Sequence, residues 1–358
     1  MKLCFNGPQN LHTERWVTYF ANHGHEVHLV IDEPVSYEGV NVHCLHLELS
    51  KNPLYFLRKL LGLKRVIKEI QPDLLHSHYI TGEGYIGAMT GFHPFVSTIW
   101  GTDIYVRPKK GIDEKLFTRF VMKRSDLITA DSQDQIGAAV ELGAAQDKCR
   151  LVQWGVDLNT FRPRVASDVR SRLAIGDGPV VISQRKFQPL YNIDIIVQSF
   201  SNVLKVLPNA HLVLTGDGFD EIKVRDQVSR LRIDANVHFT GYLAYGDLAL
   251  YLSVADISIS IPSWDGTAMA ILEAMACGVP LIVSDLASNR EWIEDGKNGY
   301  IVQPRDHERL TVKMIELLKD RTTRERFSSQ NVGIVRERAD HEKHMARMET
   351  YYRELCGR

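Results

Sequence analysis

ADISISIPSWDGTAMAILEAMACGVPLIVSD, residues 255–285, contains two short β-rich runs with an apolar helical segment between them. ADISISIP (255–262) and PLIVSD (280–285) carry the branched residues and bounding turn residues of buried strands. The run after Gly266 and Thr267 reads as a helix. Strand, helix and strand in that order make a right-handed βαβ unit of a parallel sheet. Two acids flank the helix start: Asp265 lies ahead of Gly266, and Glu273 stands eight residues later, inside the first turns. A helix N-terminus attracts anions. The two acids therefore either cap and decorate the helix, or grip a ligand whose phosphates occupy that end.

The same alternation extends in both directions. The second half adds VVISQ (180–184), HLVLTGD (211–217), VHFTGY (237–242) and GYIVQP (299–304). The first half offers LCFNG (3–7), EVHLVID (26–32), VNVHCLHL (40–47), DLLHSHYI (73–80), FVSTIWGTD (95–103) and LITADS (127–132). Several are continuously apolar at their centres, as strands are when helices cover both sheet faces. The helical segments WVTYFANHG and QIGAAVELG end at Gly24 and Gly143, which stop helices. The expected fold class is therefore α/β, with two Rossmann-like doubly wound parallel-sheet domains facing across a cleft. Ligands of such sheets sit beyond the carboxyl ends of the strands. WGVDLNTFRP (154–163) separates two complete sheet patterns, which sets the expected domains at 1–160 and 161–339. From about Arg321 the chain is helical and charged with no strand to feed. This tail is expected to pack across the first domain, with 340–358 as its returning helix.

A length of 358 residues suits two domains. With 43 basic and 44 acidic side chains there is no global field to attract nucleic acid. Cys4, Cys44, Cys149, Cys277 and Cys356 are scattered, odd in number and without metal-ligand spacing, so reduced thiols in a cytoplasm are expected. Met1–Asn10 lacks the regions of a signal peptide, and no apolar stretch is long enough to cross a bilayer. GEGYIG (82–87) fits G-x-G-x-x-G and has Asp103 about twenty residues on. It follows the fourth strand rather than the first, however, and the first βα turn, FNGPQNLHTERW, has one glycine where a dinucleotide fingerprint needs three. A nicotinamide or flavin site is not the expectation.

The fragments in order resemble one known family. HTERWVTYFANHGHEVHLV, DLLHSHY, STIWGTDIY, LVQWGVDLNTFRP, LVLTGDG, DGTAMAILEAMACGVPLIVSD and DGKNGYIVQPRD run nearly end to end. Together they are similar to the family 4 glycosyltransferases, retaining enzymes of GT-B architecture. The resemblance implies transfer of a hexose or N-acetylhexosamine from a nucleotide-diphosphate sugar, UDP most commonly, to a glycan or lipid-linked acceptor. Cell-surface polysaccharide or glycolipid synthesis would be its setting. It places an E-x7-E motif on Asp265 and Glu273, the first acid touching the donor sugar and the second the ribose. Asp265 is one methylene shorter than the usual glutamate. The amides of Gly266, Thr267 and Ala268 would face the diphosphate.

Departing diphosphate gains negative charge, so positive charge is needed beside it. Arg185 in SQRKFQPLYNID (183–194) matches the family's diphosphate arginine, while Tyr191–Asn192 stands where a lysine is usual. Lys186 either substitutes for that lysine or is a solvated surface residue. No D-x-D-like pair sits in a strand-end loop, so metal-independent chemistry without a cofactor is expected. In HSHY, His76 and His78 face one side of a strand. His76 is assigned to the core, bonded to backbone. His78, nearer the strand's carboxyl end, matches the histidine with which the family contacts the donor sugar, and the resemblance implies that role for it. Gly7, Asn10 and His12 would border the donor from the first βα turn. Trp100 and Asp103 would lie on the acceptor side, where Trp100 either stacks a sugar or fills the core. The nucleotide base would meet backbone in loops such as TGYLAYGD (240–247).

Two other activities fit the same architecture: a sugar-nucleotide epimerase or hydrolase, and a non-catalytic partner subunit. KNPLYFLRKLLGLKRVIKEI (51–70) interleaves Leu57, Leu60, Leu61, Leu63, Ile67 and Ile70 with Arg58, Lys59, Lys64, Arg65 and Lys68. It reads either as a helix packed on the sheet with a solvated basic face, or as a docking element for an anionic membrane surface. RPKKG and KRSD, around residues 107 to 126, add basic charge. The second reading would place the protein on the inner face of the cytoplasmic membrane.

Overall fold

A computed structural model describes residues 1–48, 52–164 and 167–357. The chain divides into two compact units, Met1–Trp154 with Lys343–Arg358, and Gly155–Glu342. In the first unit β1 (Lys2–Asn6), β2 (Glu26–Ile31), β3 (Val40–Cys44), β4 (Leu74–His78), β5 (Phe95–Thr98), β6 (Leu127–Ala130) and β7 (Cys149–Leu151) form one sheet. Their order is β3-β2-β1-β4-β5-β6-β7 and every pairing is parallel. The order reverses between β1 and β4, so the connections leaving these two strands diverge and open a crevice at their carboxyl ends. Gly7 follows β1, and His78 closes β4.

The second unit repeats the device. β8 (Val180–Ser183), β9 (His211–Thr215), β10 (Val237–Gly241), β11 (Ile257–Ser260), β12 (Leu281–Ser284) and β13 (Tyr300–Val302) pair in the order β10-β9-β8-β11-β12-β13. Here the reversal falls between β8 and β11. The loop after β8 carries Arg185, and the loop after β11 carries Asp265. Each face of this sheet has its own core. One is closed by the helices Ile193–Val203 and His307–Lys319, around Phe200, Met314 and Phe327. The other is closed by the helix Met269–Ala276, around Ile271, Leu272 and Met275. That helix is apolar on nearly every side because Ala270 to Ala276 are all buried.

Three expectations need correction. β7 is an addition, a run of only three residues that adds an edge strand. The charged tail does not pass as a whole to the first unit. The helix Arg321–Arg338 buries Phe327, Asn331 and Val335 within the second unit, and the chain joins the first unit only from Lys343. There Tyr352 is fully buried. Lys59, counted by its sequence neighbours into a solvated basic face, is buried instead. Its ammonium lies 2.7 Å from Asp32 Oδ2 and 3.2 Å from Glu83 Oε1. These carboxylates outweigh the burial that opposes its charge, and its pKa is raised. Lys51 of the same segment lies outside the described residues.

Candidate active site

In the second unit the site begins where β8 ends. Gln184 turns its side chain under the neighbouring helix, donating to Ala270 O at 2.9 Å. Arg185 follows, only 9 % exposed, with Nη2 2.5 Å from Asp265 Oδ2. Its guanidinium also lies over the Tyr191 ring, 4.2 Å from the centroid. Burial opposes the charge, but Asp265 and Tyr191 outweigh it and raise the guanidinium's pKa. Arg185 is therefore a fixed cation, stacked on one side and ion-paired on another.

The residues that stand in for a lysine thus support the arginine. Their turn is stitched to the loop after β11: Ser263 N donates to Leu190 O, and Asn192 Nδ2 donates to Ile261 O and Ser263 Oγ. Asn192 adopts a left-handed φ of 53° and accepts from Arg305 Nη1 at 3.0 Å. The glycines of LTGDG let the Arg185 loop lie against β9. A Cβ on Gly216 (φ 124°) would sit 2.9 Å from Arg185 O, and one on Gly218 (φ 151°) 2.4 Å from Phe187 O.

Asp265 does not cap the helix that follows. Its carboxylate accepts from Arg185 and from Gly266 N at 3.0 Å, and its carbonyl accepts from Ser288 Oγ. Thr267 Oγ1 accepts from Trp292 Nε1. The residue ahead of the helix is Ala268, extended, whose own side chain makes no cap. Glu273 lies in the second turn and is buried. Lys186 is exposed, and the structure does not bring it into the enclosed cluster.

The first unit carries a second cluster at its own reversal point. The His78 ring packs among Phe5, Trp16, His76 and Trp100, with centroids 4.8 to 5.9 Å away. Nδ1 is 3.4 Å from Thr13 Oγ1, and Nε2 is buried with no hydrogen-bond partner among the described residues. Burial lowers the pKa of this imidazole to about 3, so it is neutral. Gly7 makes room for it: a Cβ there would meet His78 Cβ at 3.3 Å. Trp100, partly exposed, packs against Tyr79 and Trp154 at 4.8 Å and His12 at 5.8 Å. Its Nε1 is also buried without a partner among the described residues.

Other expected residues have different duties. Asn10 Oδ1 accepts from Thr13 N and caps the helix Leu11–Asn22. Asp103 does not fit an acceptor contact. It is wholly buried, and its oxygens accept the amides of Ile80, Trp100 and Gly101. Burial raises its pKa to about 6 against the pull of those amides. Its job is to shape the loop that presents Trp100. His76 is a core residue, but its partners are side chains rather than backbone: the Tyr352 hydroxyl at 2.5 Å and Thr98 Oγ1 at 2.6 Å. Two of the GEGYIG glycines serve packing, since a Cβ on Gly84 or Gly87 would lie 2.3 Å from Tyr79 O or Ser77 Oγ, while Gly82 supplies a left-handed φ of 66°.

All five cysteines are free, and no helix among the described residues is long and apolar enough to cross a membrane. Residues 166–332 match the family described as glycosyl transferases group 1, and residues 2–132 match glycosyl transferase 4-like. N-acetyl-alpha-D-glucosaminyl L-malate synthase of Bacillus anthracis is 27% identical over 93% of this chain and 90% of its own. D-inositol 3-phosphate glycosyltransferase of Frankia alni is 26% identical over 73% of this chain and 69% of its own. Among solved structures, Anabaena HepE in complex with UDP-glucose superposes with a TM-score of 0.85 at 18% identity, over 99% of this chain and 100% of that one. Two parallel Rossmann-like sheets, the ordered motifs and these likenesses agree: the chain belongs to the family 4 glycosyltransferases and has the GT-B fold.

Proposed function

We propose that this glycosyltransferase moves a hexose or N-acetylhexosamine from a UDP-sugar to a glycan or lipid-linked acceptor. Anomeric configuration is retained, no metal ion is needed, and the setting is cytoplasmic assembly of cell-surface polysaccharide or glycolipid. One observation carries the donor half: a nearly buried Arg185–Asp265 pair stands ahead of a helix whose N-cap residue, Ala268, has no polar side chain to cap it, with Glu273 buried in the second turn. The helix end and Arg185 together suit a diphosphate, and a carboxylate suits a vicinal diol. UDP is favoured because HepE, of the same fold, was crystallised with UDP-glucose and with UDP.

In this reading Glu273 accepts from the ribose hydroxyls, Asp265 turns to the transferred sugar, and Arg185 is released to the phosphates. His78 offers its buried Nε2 to that sugar. The bond from the anomeric carbon to the phosphate oxygen breaks as the bond to the acceptor oxygen forms. The acceptor proton passes to the leaving phosphate oxygen. Charge building on the diphosphate is stabilised by Arg185 and the helix dipole, work that elsewhere falls to a divalent ion.

A thermal-shift screen of UDP-, GDP-, ADP- and dTDP-sugars tests the donor. The UDP-sugars should raise the melting temperature, because binding stabilises the folded state by mass action. A shift confined to another base would replace UDP in the proposal. NMR of the product tests retention, and an inverted linkage would exclude it. Turnover that persists in excess chelator is expected. Donor consumption without any acceptor would favour a hydrolase or epimerase.

A further inference from the structure

The exposed apolar residues of the first unit concentrate on two helices that also carry its basic charge. On the helix Pro53–Ile70, Leu60, Leu63 and Val66 are buried, while Leu54, Leu57 and Leu61 are about half exposed. Arg58, Lys64, Arg65 and Lys68 are exposed among them. On the helix Ile112–Arg124, the inward residues are Thr118, Val121 and Met122. Ile112 (79 %), Leu116 (58 %), Phe117 (44 %) and Phe120 (38 %) face outward at spacings of four, one and three. That spacing puts them on one face. Lys109, Lys110, Lys115, Arg119 and Lys123 are exposed around them. The acids on the two helices are Glu69, Asp113 and Glu114; Glu69 is paired with Arg65 at 2.8 Å and Glu114 with Arg107 at 3.2 Å. The two helices flank a third, Glu83–Thr90, which packs on both. Tyr85 of that third helix lies 4.8 Å from Phe117, and its Met89 is exposed.

We infer that these two helix faces dock on an anionic lipid surface, with the leucines and aromatics entering the headgroup region and the lysines and arginines held over it. Charge decides the occupant. A patch that is apolar at its centre and cationic at its rim fits a negatively charged, apolar-cored interface, and such interfaces attract each nearby Lys or Arg by about a fivefold gain in partition. The same ring of like charges repels a second copy of itself. Packing on the sheet accounts for the buried leucines of Pro53–Ile70 only, and leaves Leu54, Leu57 and Leu61 without a role. The inference deepens the lipid-linked acceptor proposed above, yet vesicle binding is measured without donor or turnover, so either can fail alone.

Full-length protein is sedimented with phosphatidylcholine vesicles containing 0% or roughly 30% phosphatidylglycerol. Binding is expected only with the anionic lipid and should weaken steeply as salt rises. Ile112→Ser with Leu116→Ser, and separately Lys109→Glu with Lys110→Glu, should each lower the partition coefficient tenfold or more. Melting temperature should stay unchanged in both, since these side chains are exposed. Equal binding to neutral vesicles, or full binding by both variants, overturns the inference. So does a concentration-dependent dimer in sedimentation velocity that the Ser variant abolishes while vesicles remain unbound.

Discussion

Removing the carboxylate of Asp265 should tighten the binding of a bare nucleoside diphosphate, although it should stop sugar transfer. Without donor, Asp265 holds Arg185 at 2.5 Å, with side chains 22% and 9% exposed. Two unit charges about 4 Å apart attract by roughly 4 kcal/mol at an effective dielectric near 20. Desolvation of the nearly buried guanidinium cancels much of that, leaving a net pair of about 1–2 kcal/mol. A diphosphate must draw Arg185 away from this partner. In Asp265→Asn that competition is gone, and affinity for UDP should rise by about five- to thirtyfold, at ~1.4 kcal/mol per decade. Arg185→Lys keeps the charge but loses the planar fork and the stack on Tyr191, so UDP should bind about ten- to a hundredfold more weakly. Isothermal calorimetry reads both. Melting temperatures supply the control, because the unpaired guanidinium in Asp265→Asn costs roughly 1–3 kcal/mol of stability. Opposite movements in UDP affinity support the argument. Weakening by both variants to the same degree would refute it, since Asp265 would then be a ligand of the nucleotide rather than its competitor.

Tyr191→Ala should raise the donor KM several-fold by releasing the Arg185 ring contact, worth about 0.5–2 kcal/mol, whereas Tyr191→Phe should leave it unchanged in steady-state assays. Glu273→Gln, isosteric but uncharged, should raise donor KM about ten- to a hundredfold with a smaller change in kcat if the carboxylate accepts two ribose hydroxyls. Stability should depend on the buried histidines. Burial holds His78 at about 3 and His76 well below the ordinary 6.5, so the unfolded chain binds protons that the folded one refuses. Their contribution is fully present above about pH 6.5 and is lost as pH falls from there toward 3. Asp103, raised to about 6, acts with the opposite sign, so the calorimetric melting temperature of the native chain is compared with that of His78→Phe. The native value should fall more steeply over that range, and equal slopes would contradict this assignment. Gly218→Ala should lower the urea midpoint by an amount worth roughly 1–3 kcal/mol, because its φ and the 2.4 Å approach to Phe187 O exclude a side chain.

Sheet architecture was readable where strands are buried on both faces. The six runs of the second half each correspond to one strand, since a continuously apolar run bounded by turns has few other uses. β7 escaped because three residues, Cys149 to Leu151, carry too little pattern. Arg185, Asp265 and Glu273 were singled out by the family resemblance, whereas the strand-order reversal that brings the loops after β8 and β11 together is visible only in the fold. What the motifs could not convey were contacts made by side-chain geometry. Tyr191 looked like a lost lysine, and its support of Arg185 appears only when its ring is placed 4.2 Å away. His76 meets Tyr352 across 276 residues of sequence, a pairing no local pattern encodes. Lys59 sits among basic neighbours, yet Asp32 and Glu83 draw it inward, which helical periodicity alone does not report.

The central claim is that the second unit holds a sugar nucleotide by its diphosphate at the loop running from Asp265 into the helix Met269–Ala276. A crystal structure of the full chain grown with a UDP-sugar tests it most directly. The account predicts phosphate oxygens within hydrogen-bond distance of Arg185 and the Gly266–Ala268 amides, the Asp265 pair broken, and both ribose hydroxyls on Glu273. Density for the nucleotide elsewhere, with the Arg185–Asp265 pair still closed, would contradict it.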